Sequence, residues 1–287
     1  MAIDTTWRIP LVGGTVEIVL YDVEPELARA IHDDVVREAQ RLQRIFNLYD
    51  PASELNALNA QRTWSASPEL TRVLALALTY CEKTDGAYDI TRGKQFLERK
   101  SGKCEVTPIG CTYRDVRLVP RGNCSLVTLT HPDCLIDLGS IAKGYIADAL
   151  LDYLGELGVE SAFIDARGDM AIRGAHLEVI NIQHPLHEGT VRPFALENAA
   201  VATSGGYRQY AGTPAMSHLL GETAARSVTV LAPTLAEADV LATALYLVSA
   251  GRAAEILPAH ASAFIITEEA EIALNGFPPS LAEVTRV

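Results

Sequence analysis

Two hydrophobic rhythms run along this chain. Residues 12–21 read as a β-strand, and from 25 to 46 Leu27, Ile31, Val35, Leu42 and Ile45 recur near helical spacing, which predicts a helix. A second helix is expected after Ser67, with Pro68 in its first position, where a missing N–H costs nothing, and it ends by Gly86. Strands are expected near 115–119, 125–130 and 133–138, followed by a helix that carries Lys143. Further strands are expected near 161–165, 169–174, 177–183, 194–202 and 226–232, then a helix from Leu235 to Val248 and closing strands near 261–266 and 271–274. The strands cluster and do not alternate strictly with helices. That order predicts an α+β fold with mixed or antiparallel sheets flanked by helices, in preference to a doubly wound parallel sheet.

Two segments set an ionisable group inside apolar sequence. In PTLAEADVLATALYL, residues 233–247, Thr234 is placed to cap a helix while Glu237 reaches back to the cap, and Gly251 offers a stop. Between Leu235 and Val248 only Glu237, Asp239, Thr243 and Tyr246 carry polar side-chain atoms, so this helix faces protein on more than one side. An unpaired carboxylate buried there would cost on the order of tens of kcal/mol in Born solvation, so Asp239 must be hydrogen-bonded, neutralised or bound to a cation. Thr243 lies one turn later on the same face, and a carboxylate with a hydroxyl suits a hard cation such as Mg²⁺. The spacing by itself fits better a carboxylate satisfied by a backbone amide or an arginine, with Thr243 simply in the core.

The other segment is DLGSIAKGY, residues 137–145. CLIDL reads as a buried strand leading into a glycine turn, and the following helix stops at Gly155 or Gly158. A strand, glycine turn and helix start direct amides and the positive end of a dipole at one point, which favours phosphate. Lys143 falls in the first helical turn, where the dipole disfavours a cation, so a nearby anion would account for it. A lysine snorkelling from a surface helix is the competing reading.

In chain order, seven stretches resemble the FAD:protein FMN transferases, the ApbE family. GGTVEIVLYD resembles its Gly-Thr strand at Gly14 and Thr15. FNLYDPASELNALNA resembles a stretch carrying Ser53, Glu54, Leu55 and Asn59, and the helix that follows ends in TDGAYD where the family has Thr-Asp-Gly-Ala-Phe-Asp. DLGSIAKGY is similar to Asp-Leu-Gly-Gly-Ile-Ala-Lys-Gly-Tyr, with Ser140 at the second glycine. ARGDMAIRG stands where the family has Gly-Gly-Asp, with Arg167 at the first glycine; AVATSGGYRQY resembles its Ala-Thr-Ser-Gly segment, and SVTVLAPTLAEADVLATAL its metal helix. The chain departs from the pattern at HLLGETAARS, where Gly221 replaces an acid and Glu222 stands one place later, and it lacks the family's tryptophan-containing segment between Arg92 and Thr112.

The resemblance implies a single ApbE-like flavin transferase domain over residues 1–287. It implies cleavage of FAD, the substrate, at its pyrophosphate, attachment of FMN to a threonine or serine of an acceptor flavoprotein, release of AMP, and a requirement for Mg²⁺. It places Asp239, Thr243 and the carbonyl of Ala142 at the metal, Lys143 at the pyrophosphate, and Tyr49, Asp89, Thr203, Ser204 and Gly205 around flavin and adenine. His218 would sit beside the reacting phosphate and accept a proton from the incoming hydroxyl. An FAD pyrophosphatase using the same metal, and a protein that holds FAD without turning it over, are the alternatives.

Composition narrows the partners. A net charge of −12 over 287 residues argues against a nucleic-acid surface, and RGKQFLERKSGK reads as a solvated loop too short and mixed to overturn that. No apolar run is long enough to span a membrane, and the N-terminal residues carry neither a basic n-region and apolar h-region nor a lipoprotein cysteine, so a cytoplasmic location is expected unless a leader has been removed. Five cysteines cannot all pair with one another and show no zinc-like spacing, which points to structural thiols in a reducing compartment.

Overall fold

The computed structural model describes residues 2–280 except 12, 104, 186–188 and 207–223. His218, Gly221 and Glu222 therefore lie outside the described residues. The chain opens on a hairpin, β1 (Ile3–Leu11) and β2 (Gly14–Val23), then runs through helix α1 (Pro25–Phe46), α2 (Glu54–Gln61), β3 (Thr63–Ala66), α3 (Pro68–Lys83) and α4 (Gly93–Lys100). Strands β4 (Val116–Arg121) and β5 (Cys124–Leu129) precede α5 (Ala142–Glu156), which leads to β6 (Ala162–Asp165), β7 (Met170–Arg173), β8 (Leu177–Gln183), β9 (Thr190–Glu197) and β10 (Ala200–Gly205). After β11 (Ala225–Ala232) come α6 (Leu235–Tyr246), α7 (Ala250–Ile256), β12 (Ser262–Thr267) and β13 (Glu271–Leu274).

The principal sheet has the order β1-β2-β6-β7-β10-β11-β12-β13, and every neighbouring pair in it is antiparallel. This matches the expected α+β class, whose antiparallel sheets can present different partners on their two faces. Helices α1, α5 and α6 cover one face in a core that includes Val35, Leu42, Ile146, Leu150, Leu241 and Leu245. The β8–β9 ribbon covers part of the other through Ile180, Phe194 and Leu196, packed with Phe163, Ile172 and Phe264. A smaller sheet, β3-β5-β4, stands apart from the first.

Helix α1 forms where its periodicity predicts, burying Ile31, Val35, Leu42 and Ile45. Ser67 caps α3 by accepting from the Leu70 amide, and Pro68 follows at the first position. Helix α6 is buried at every residue except Glu237, as a helix without a polar face must be. Each of its fully enclosed leucines contributes about 2 kcal/mol of hydrophobic stabilisation relative to exposure.

Several expectations are corrected. The stretch 133–138 alternates between half-buried and buried residues but is not a strand: it makes one bridge, Leu135 with Arg92, and the Ile136 backbone pairs in both directions with the Asn59 side chain. The RGKQFLERKSGK loop is largely helix α4, and the 194–202 strand divides into the end of β9 and β10. Helix α6 ends at Tyr246, so Gly251 lies inside α7 and is not the stop. Thr234 caps α6 through the Glu237 amide, but the Glu237 carboxylate turns to Tyr80 and His260.

Candidate functional site

The site begins at the contact between α5 and α6. A Cβ at Gly144 would lie 2.3 Å from the carbonyl oxygen of Leu235, so only glycine lets the first turns of the two helices approach this closely. Each helix then sends a carboxylate to the start of the other. Asp148 on α5 accepts from the Leu235 and Ala236 amides, both at 2.8 Å, and Asp239 on α6 accepts from the Gly144 amide at 3.3 Å. Orphan amides at a helix start are satisfied this way, and negative charge there is favoured by the dipole.

Lys143 turns the second contact into a charge cluster. Its Nζ donates to both Asp239 oxygens at 3.1 Å and to Asp169, which follows β6 and lies between β6 and β7. Burial works against the Lys143 ammonium, yet Asp169 and Asp239 more than offset it and hold its pKa above the ordinary lysine range. Burial pushes the Asp239 carboxyl up to about 6, with Lys143 opposing the rise. With all three ionised the cluster carries one net negative charge.

Strand β10 closes the cluster from the sheet side. The Thr203 amide donates to the second Asp169 oxygen at 3.0 Å, the Thr203 hydroxyl pairs with Thr229 at 2.9 Å, and the Ser204 and Thr243 hydroxyls lie 3.0 Å apart. Ala142, the first residue of α5, is buried beside Lys143, and Gly205 ends β10. Lys143, Asp239, Thr243, Ala142, Thr203, Ser204 and Gly205, all expected at the site, are thus brought together here. Asp169 is a site residue that reading the sequence did not single out; its signal was the Gly-Asp at the place of the family's Gly-Gly-Asp.

Tyr49 and Asp89 are engaged by other partners. Tyr49 is 58% exposed, its hydroxyl accepts from Lys100 of α4 at 2.8 Å, and the same ammonium lies 4.8 Å from the Tyr49 ring centre and 5.5 Å from that of Phe96. Lys100 also acts on half-buried Asp137, whose carboxyl is pushed up by burial, so α4 reaches toward the turn before Lys143. Asp89 is engaged locally, accepting from the Thr91 amide and hydroxyl and from the Tyr113 amide at 2.7 to 3.0 Å. The chain beyond Gly205 that should bring His218 to the site lies outside the described residues.

The donors suit a hard cation. They are carboxylate and hydroxyl oxygens carrying an excess negative charge, the chemistry that Mg²⁺ selects. No group of three or more His, Cys, Asp or Glu side chains is placed to hold a metal among the described residues, so hydroxyl, carbonyl, water or substrate oxygens would have to complete any coordination shell. No described helix is long and apolar enough to cross a membrane.

Comparison with known proteins puts this geometry in context. The model of the ApbE family matches residues 4–266. A protein from Salmonella typhimurium named FAD:protein FMN transferase is 24% identical over 93% of this chain and 83% of its own length, and one of the same name from Haemophilus influenzae is 27% identical over 78% and 74%. Among solved structures, the flavin transferase ApbE from Vibrio cholerae superposes with a TM-score of 0.81, covering 98% of this chain and all of its own at 23% identity. The ApbE protein of Thermotoga maritima gives a TM-score of 0.77 at the same identity, covering 96% of this chain and 98% of its own.

Proposed function

Since the chain belongs to the ApbE family, we propose that it is an FAD:protein FMN transferase: it cleaves the FAD pyrophosphate, joins FMN to a threonine or serine hydroxyl of an acceptor flavoprotein and releases AMP, with Mg²⁺ required. The observation that carries this reading is the buried Lys143–Asp169–Asp239 cluster beside the Ser204–Thr243 hydroxyl pair, at the start of a helix. Phosphoryl-type transfer depends on positioning and charge neutralisation more than on covalent help from the protein, and these are the parts such a site contains.

In this reading Asp239, Thr243 and the Ala142 carbonyl would hold Mg²⁺, whose chemistry there would be to offset negative charge on the pyrophosphate. Lys143 supplies the second positive charge at the pyrophosphate. Asp169 and Asp239 keep that lysine protonated and aimed, and the Thr203 amide fixes Asp169 in turn. The acceptor Oγ forms a bond to the FMN phosphorus as the bridging P–O bond to AMP breaks. The hydroxyl proton passes to a base, the role assigned to His218. Tyr49, Asp89 and Gly205 contact the flavin and adenine ends, Tyr49 with the help of Lys100 and Phe96.

The test is incubation of the protein with FAD and Mg²⁺, with and without an acceptor flavoprotein domain bearing a target threonine. AMP is followed by chromatography and covalent flavin by in-gel fluorescence. AMP together with a fluorescent acceptor is the expected result. AMP with free FMN alone would make the protein a pyrophosphatase, and retained FAD without AMP would make it a binding protein.

A further inference from the structure

The turn before Lys143 is attached to the segment after α3 by a row of backbone bonds. The Asp137 amide donates to the Ile90 carbonyl at 2.9 Å, the Leu135 amide to Thr91 at 3.3 Å, and the Gly93 amide to Leu135 at 2.9 Å. One side-chain bond continues this row toward the catalytic end: the Tyr88 and Ser140 hydroxyl oxygens lie 2.8 Å apart. Tyr88 is 4% exposed, and its phenol lies within the fields of both Asp239 and Asp137. Burial, the largest effect, together with those carboxylates pushes the phenol's pKa well above the ordinary tyrosine range, so it is a neutral hydrogen-bonding group behind the charge cluster. The two residues also stand at two places where the chain departs from the motifs it otherwise resembles, tyrosine for phenylalanine and serine for glycine.

We infer that Tyr88 and Ser140 form a paired positioning device that fixes the turn presenting Lys143 to the FAD pyrophosphate. The inference rests on the transferase reading for its substrate. A buried hydroxyl that loses its partner carries the full desolvation penalty, whereas removing both hydroxyls leaves nothing unsatisfied. The two hydroxyls should therefore be coupled, and loss of Ser140 should be the worse of the single changes, because Tyr88 is buried whereas Ser140 is partly open to water. Neither residue touches the reacting atoms; both act through the turn.

The experiment is a double-mutant cycle of Ser140→Ala, Tyr88→Phe and the double variant, read by FAD affinity from flavin fluorescence, by the rate of FMN transfer, and by thermal midpoint. Alanine removes the Ser140 hydroxyl without adding backbone freedom. Ser140→Ala is expected to weaken FAD binding and slow transfer by about tenfold, Tyr88→Phe by about threefold, and the double variant is expected to return within about twofold of wild type, since an unmade buried hydrogen bond costs more than an absent one. Wild-type binding and transfer in Ser140→Ala, with only the midpoint lowered, would reduce the pair to a structural contact and overturn the proposal. Single effects that simply multiply in the double variant would overturn it as well. If the wild-type protein binds FAD but transfers nothing, the transferase reading fails while the affinity cycle still decides the pair; if it binds no FAD, both fail.

Discussion

The two halves of the α5–α6 contact are built alike and differ in one residue's company. At one end Asp148 reaches from α5 to the Leu235 and Ala236 amides; at the other Asp239 reaches from α6 to the Gly144 amide. Burial is the largest influence on both carboxyls and pushes each up to about 6. Asp148 is engaged by the Leu235 and Ala236 amides, and what it does is cap a helix. Asp239 has the Lys143 ammonium at 3.1 Å, Asp169 beyond it and the Ser204–Thr243 hydroxyls one turn away. A buried carboxylate at a helix start is therefore not a sign of chemistry in itself. What separates the chemical end from the structural one is the second charged group and the oxygen donors around it.

Changing Asp239 to alanine should produce the largest effect: a loss of Mg²⁺-dependent AMP release of at least about 10²-fold, with the fold retained, as expected when a principal charge-positioning group is removed. Circular dichroism and AMP chromatography on one preparation check this, and unchanged release would remove the metal assignment. Asp148→Ala should invert the pattern. It strips two amides at the start of α6 of their acceptor and should lower stability by about 2–4 kcal/mol in chemical denaturation, while the protein that remains folded keeps its rate. Equal damage to rate and stability at both positions would erase the distinction between the two ends.

Gly144→Ala tests the hinge between them. A methyl group 2.3 Å from the Leu235 oxygen must push the helices apart, so a stability loss of about 1–3 kcal/mol is expected, accompanied by weaker FAD binding because Lys143 and Asp239 move with their helices. Lys143→Ala leaves the Asp169 and Asp239 carboxylates without their ammonium, so it should lower stability by about 3–5 kcal/mol in chemical denaturation and weaken FAD affinity by about tenfold, the worth of one charged contact.

The last effect concerns pH. Asp148 has a folded pKa near 6 against an ordinary 3.8, so the folded state holds its proton more tightly than the unfolded state does. The stability contributed by that proton is fully present below pH 3.8 and is lost as pH rises through about 6. Asp148→Asn, which cannot ionise, should flatten the fall of the thermal midpoint between those values. A slope identical to that of wild type would mean that Asp148 is not the group responsible.

Much of this was legible in the chain because it depends on local pattern. Helix α1 shows its buried face at helical spacing, and α6 shows its burial by having almost no polar residues. Asp239 stood out because the apolar residues around it made a lone carboxylate costly. Asp148 did not, since its helix reads as amphipathic and its partners lie 87 and 88 residues away. Asp169 was hidden for the same reason, being defined by Lys143 and Thr203, which only the folded sheet brings near. Strand β1 was missed because its polar start conceals the later alternation of Trp7, Ile9 and Leu11, and α4 because a short polar helix resembles a solvated loop. The 133–138 stretch misled through its alternating burial: its backbone pairs with the irregular segment 90–93 and with the Asn59 side chain, and not with a neighbouring strand.

The most direct test of the account runs three proteins side by side with FAD, Mg²⁺ and a threonine-bearing acceptor: wild type, Asp148→Asn and Asp239→Asn. Wild type and Asp148→Asn are expected to release AMP and render the acceptor fluorescent at similar rates, while Asp239→Asn does neither. Labelling by Asp239→Asn at the wild-type rate would contradict the account.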